Sequence, residues 1–172
     1  MGIDALLKDK SIKPKEKTET IRNWILDQSL SVDELIAFAE KSKDPAKATC
    51  IEAMEYATRQ NPDMANEMML DFVTGTLKEK APRIKWESAK VIGNIAHLFP
   101  AKLEKAIDHL LLNTEHDGTV VRWSSAFALG EILKLKTKYT SGLLPVMEKI
   151  CEKEEKNSIK KIYLSAIKES KK

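Results

Sequence analysis

Three histidines, two cysteines and three tryptophans are the side chains with the most distinctive chemistry in this chain, and their spacing limits what they can do. His97, His109 and His116 have no cysteines or carboxylates at the short intervals that a zinc site requires. Cys50 and Cys151 lie about a hundred residues apart, and neither has a base beside it in sequence to activate a thiolate. They also lack the dense pairing of a disulfide-stapled domain. The pair His116-Asp117 falls in a turn before Thr119, where polar residues are expected without any catalytic task. No glycine-rich loop suited to cradling phosphates occurs. The inventory predicts no catalytic residue, no cofactor and no metal ion. Binding, rather than catalysis, is the expected role.

The elements that would present a binding surface are helices. The 172 residues are 42% hydrophobic and 32% charged, with only six glycines and six prolines, several of them between periodic apolar segments. That distribution fits helices joined by short turns. The length suits one domain or a short repeat array with a buried core. Net charge is +3, from 29 basic and 26 acidic residues, so no overall field favours nucleic acid. The start, Met1-Gly2-Ile3-Asp4-Ala5-Leu6, has neither the apolar stretch of a signal peptide nor the hydroxyl residue that acylation would need at Leu6. No run approaches the roughly 18 apolar residues of a membrane span. The expectation is a reduced, cytoplasmic protein with no membrane partner.

Internal similarity is the strongest signal. Residues 81–95 align with 118–132 at an offset of 37, which matches Trp86 with Trp123, Ser88 with Ser125, Ala89 with Ala126, Gly93 with Gly130 and Ile95 with Ile132. An offset of 36 finds weaker copies on each side, at Cys50, Ala53, Tyr56 and Ala57, and at Ile159, Ile162, Ser165 and Ala166. One column then reads Cys50, Trp86, Trp123, Ile159. A second reads Ala57, Gly93, Gly130, Ala166 and is uniformly small. Glycine inside a helix costs about 1 kcal/mol relative to alanine, so two at matched positions imply a close approach between helices.

The stretch from Val121 to Ile132, with its valine-arginine start and its alanine and leucine-glycine interior, resembles the second helix of a HEAT repeat. The similarity covers about residues 32–170. It implies an all-α, right-handed α-α superhelix: a short HEAT-like solenoid of about four hairpins. Residues 1–31 form an N-terminal cap, and the repeats fall at 32–61, 62–99, 100–138 and 139–172. First helices are expected at about 32–42, 62–78, 100–114 and 141–154, and second helices at about 45–60, 82–98, 119–136 and 156–170. Ser31 with Glu34 suggests a capping box, while Asp44-Pro45 and Asn61-Pro62 each place a cap residue before proline. Ile21, Trp24, Ile25 and Leu30 make the segment from Lys15 to Leu30 an amphipathic capping helix.

In such solenoids the second helices line the concave side, so the resemblance places a partner there. Trp86 and Trp123 share a column with Cys50 and Ile159 and are expected to fill core. On a helical wheel Glu87, Lys90, Asn94 and His97 fall together, matched in the next repeat by Ser124, Phe127, Glu131 and Lys134. One column thus reads Met54, Lys90, Phe127, Tyr163. The expected groove comprises Arg83, Glu87, Lys90, Asn94, Phe127, Glu131, Lys134 and Tyr163. Phe127 would be the apolar anchor for a helix or extended segment of another protein, and Arg83, Lys90 and Lys134 would steer acidic groups.

The alternative is a nucleic-acid binder. The alkylpurine DNA glycosylases use HEAT-like grooves with tryptophans, an aspartate and basic residues, and Trp86, Trp123, Arg83 and Arg122 reproduce part of that set. No acidic residue stands at a matched position, and this chain is shorter and less basic. The bilin lyases share the repeat, but nothing here points to a chromophore. The stretch from Glu148 to Lys172, with eight lysines and five glutamates, would add a phosphate-facing ridge to that alternative and otherwise reads as a solvated helix face.

Overall fold

A computed structural model describes residues 1–172. Its ten helices are α1 (Ile3–Lys8), α2 (Pro14–Leu26), α3 (Val32–Lys41), α4 (Ala46–Gln60), α5 (Glu67–Thr76), α6 (Pro82–Ile95), α7 (Glu104–Asn113), α8 (Thr119–Lys134), α9 (Thr140–Lys153) and α10 (Asn157–Ser170). There are no strands. Each odd-numbered helix pairs with the even-numbered helix that follows it, and α2, α4, α6, α8 and α10 pack one on the next to form a continuous inner layer. The segment before Ser31 is itself a hairpin, and its α2 takes the first place in that layer.

Alanines set among compact aliphatic residues let the inner helices approach. Ala53 and Ala57 of α4, Ala89 and Ile92 of α6, and Ala126 and Leu129 of α8 are fully buried. One apolar cluster runs from Ile3 to Ile167 without a break. No helix is long and apolar enough to cross a membrane.

Side-chain caps open α3 and α5, while a proline at the first position opens α2 and α6. The Ser31 hydroxyl accepts from the Glu34 amide at 3.1 Å and opens α3. Pro62 starts only a single 3-10 turn, Pro62–Met64. The first helix of that hairpin begins five residues later, because Asn66 Oδ1 accepts from the Met69 amide at 2.9 Å. Likewise Asp44 supplies no side-chain cap, and α4 begins at Ala46.

Candidate functional site

The face of the inner layer turned away from the odd-numbered helices carries most of the expected groove, but its two halves differ. In the first half the polar side chains of α6 are engaged with α4. Arg83 pairs with Glu52 at 3.1 Å. Lys90 Nζ lies 3.3 Å from both Glu55 and Glu87. Asn94 Nδ2 reaches Glu55 Oε2 at 2.9 Å and Thr58 Oγ1 at 3.2 Å. Arg59, one turn beyond Glu55, pairs with it at 3.0 Å and lies over the Tyr56 ring. These residues stitch one repeat to the next.

Glu55 and Glu87 are buried, at 1% and 3% exposure. Burial pushes the Glu87 carboxyl above its ordinary range; Lys90 opposes that shift, and Glu52 and Glu55 add to it. Burial works against the charge on Lys90, but Glu87 and Glu55 outweigh it and hold the ammonium above its usual pKa. Glu87 therefore lies beneath the expected groove and does not line it.

The second half is apolar. Val120 and Trp123 of α8 are 49% and 38% exposed. Trp123 stacks on Phe127 with ring centroids 5.9 Å apart and planes within 10°. The Phe127 ring is half-buried and sits against Gly93, where an added Cβ would collide with it. That is the packing reason for one of the two matched glycines. The other, Gly130, accommodates Ala166 and Ile162 of α10. The tryptophan column is thus not core in α8: Trp123 is exposed and Trp86 is half-buried. Glu131 and Lys134 pair with each other at 3.0 Å at the outer end of the stripe.

Tyr163 corrects the last expected groove residue. It is 1% exposed and belongs to the core. The offset of 36 used for the final repeat places it one residue out of phase, about 100° around the helix. Burial instead repeats at 37: Ala126, Leu129 and Gly130 are buried in α8, and so are Tyr163, Ala166 and Ile167 in α10. Carrying 37 forward finds Leu164 opposite Phe127, and Leu164 is 57% exposed. Met54 is also fully buried, and Tyr56, two residues on, is half-buried on α4. Between α8 and α10 a depression of about 290 Å³ is lined by Phe127, Glu131, Lys134 and Lys161.

The remaining candidates are occupied with structure. Arg122 pairs with Glu154 at 3.1 Å and donates to the carbonyls of His116 and Asp117. Burial raises the Glu154 carboxyl, but the bond from Arg122 and the amides of Lys156 and Glu155 outweigh it and hold it below its ordinary range. His109 Nδ1 lies 2.9 Å from the Thr74 carbonyl, and His116 Nδ1 accepts from the Gly118 amide. Burial pushes the Cys50 thiol up to about 12 and raises that of Cys151, so neither is poised as a nucleophile. No group of three histidine, cysteine or acidic residues is placed to hold a metal.

A single stack of hairpins whose second helices form a continuous inner layer defines a helical-repeat solenoid of the HEAT/armadillo kind. Solved structures share that fold. The complex of CpcE and CpcF of phycocyanin lyase from Nostoc sp. PCC7120 contains a chain matching 95% of this one over 96% of its own length, at 15% identity and a TM-score of 0.74. A designed armadillo repeat protein in complex with the peptide (KR)4 matches 98% of this chain over 80% of its own, at 15% identity and a TM-score of 0.77. Computationally designed armadillo repeat proteins for modular peptide recognition match 97% over 80%, at 14% identity and a TM-score of 0.71. No protein-family model and no curated protein matches the chain by sequence.

Proposed function

We propose that this protein is a non-enzymatic scaffold that holds a segment of another protein on the open face of its inner helices, centred on α8. The carrying observation is the stacked Trp123–Phe127 pair, with exposed Val120 one turn before it on α8 and exposed Leu164 at the matched position of α10. Exposed tryptophan and leucine in one stripe lose nothing and gain burial when a partner covers them. The equivalent stripe of α6 offers no such gain, because its charges already have partners. Lys161, exposed at the rim of the depression and without an ion pair, favours acidic groups at that end of the segment. Peptides bound by solenoids of the same fold, such as (KR)4 on a designed armadillo protein, support this mode of action. Arg83 and Arg122, which a glycosylase-like groove would use, are engaged with Glu52 and Glu154.

The test is panning of a random peptide library on the wild-type protein, followed by affinity measurement on variants. Trp123→Ala should weaken the selected peptides by about 30-fold, the scale of a binding hot spot. Leu112→Asp, at a 71% exposed position on α7, should leave them unchanged. Peptides indifferent to Trp123→Ala and to Leu164→Asp would move the site off this face.

A further inference from the structure

The charge of the molecule is concentrated along one edge. Three stretches that lead into inner helices, Lys8–Lys17 into α2, Lys41–Lys47 into α4 and Lys78–Lys85 into α6, hold twelve lysine and arginine residues against four acids. The whole chain has an excess of only three positive charges, so everything outside these stretches is net acidic. The three stretches are neighbours in space. Lys47 pairs with Glu79 at 2.7 Å, and a cleft of about 710 Å³ brings together Lys8, Lys17, Lys41, Lys43 and Arg83, with Asp4 its only acid.

Some of these cations already have partners: Lys8 holds Asp4, Arg83 holds Glu52, and Lys17 donates to the Leu7 carbonyl. Lys10, Lys13, Lys41, Lys43, Lys78 and Lys80 are exposed and make no ion pair or side-chain hydrogen bond within the protein. Like charges gathered on one edge repel, and an incoming anion relieves that repulsion while releasing its own counterions. The start of α6, with no acidic residue in its first turn, adds a weaker field of the same sign.

We propose that this edge binds the sugar–phosphate backbone of a nucleic acid, independently of the peptide-binding face. The cations are spread over three stretches rather than gathered at one point, which suits an evenly charged strand that releases counterions at each phosphate it brings to a cation. A membrane surface would need apolar anchors beside the charges. Met1 is the single large, exposed apolar side chain next to the cleft-lining helix α1, and the others, Met68, Leu112, Val120, Trp123, Val146 and Leu164, belong to other elements.

The experiment measures anisotropy of a fluorescent single-stranded oligonucleotide with the full chain. Binding should weaken about 50-fold between about 50 and 200 mM salt if four phosphates are neutralised. Lys41→Glu/Lys43→Glu/Lys80→Glu, all at exposed positions, should keep its helical circular dichroism, lose at least about tenfold in affinity and show a shallower salt slope. The charge reversal Lys134→Glu/Lys161→Glu on the other face should change affinity less than about twofold. No binding at 50 mM salt would overturn the proposal, as would equal losses in the two variants. So would vesicles of phosphatidylserine, or poly-glutamate at matched charge, holding the protein as tightly as the oligonucleotide.

Discussion

The same helix positions carry ion pairs in α6 and an apolar surface in α8. Trp86, Lys90 and Asn94 correspond to Trp123, Phe127 and Glu131. In α6 the last two lock onto Glu55 and Thr58 of the preceding helix. In α8 the middle residue leans back into the notch at Gly93 and supports an exposed tryptophan. A repeat conserves the backbone that brings inner helices together and leaves each junction to find its own chemistry. The α4–α6 junction is closed by charge and the α6–α8 junction by the fit of a ring over a glycine, so of the two it is the second that keeps exposed apolar surface.

That contrast is open to attack at three points. The largest effect is expected at Lys90. Lys90→Met leaves buried Glu55 and Glu87 without the cation they share, and breaking a buried pair from one side costs about 3 kcal/mol. Thermal unfolding should show the loss at neutral pH, and it should narrow below pH 4 as the carboxylates protonate. Phe127→Met, at the matched position, should cost about 1 kcal/mol with no such pH dependence. Equal losses at the two sites would erase the distinction.

The glycines give the next test. Gly93→Ala expels the Phe127 ring from its seat, and the net cost should be about 1 kcal/mol after the gain in helix propensity. In a Phe127→Ala background the same substitution should become stabilising by up to about 1 kcal/mol. Gly130→Ala, whose added Cβ would meet Ala166 Cβ at 3.2 Å, should lie near neutral in both backgrounds. Chemical denaturation of the four-member cycle reads the sign change directly.

The smallest effect concerns Glu87. Its carboxyl is held above the ordinary range by burial, so the folded chain takes up its proton before the unfolded chain does. The stability from this group is therefore complete below the unfolded value of about 4.5 and is lost as pH rises through the native value. Glu87→Gln should accordingly gain on wild type as the pH is raised from 4 to 7. A stability difference that stays flat over that interval would mean Lys90 fully compensates the buried carboxylate.

The sequence was most informative where local chemistry repeats. The offset of 37 between Trp86 and Trp123, the paired glycines and the Ser31 cap lead to the helices and to their order in hairpins. It was least informative where phase matters. One residue of error in the last repeat exchanged buried Tyr163 for exposed Leu164, and matching residue types could not detect it because both are large and apolar. A wheel drawn for α6 alone likewise grouped Glu87 with Lys90 and Asn94, although Glu87 faces inward.

The sequence by itself determined that this chain is a stack of helical hairpins, because hydrophobic spacing, caps and small residues act within a few turns of one helix. Only the tertiary structure decided which of those positions remain open. Exposure depends on the rotation of each inner helix against its neighbours, and that rotation is set by contacts between repeats, such as Phe127 on Gly93 and Lys90 between Glu55 and Glu87, that no single helix encodes.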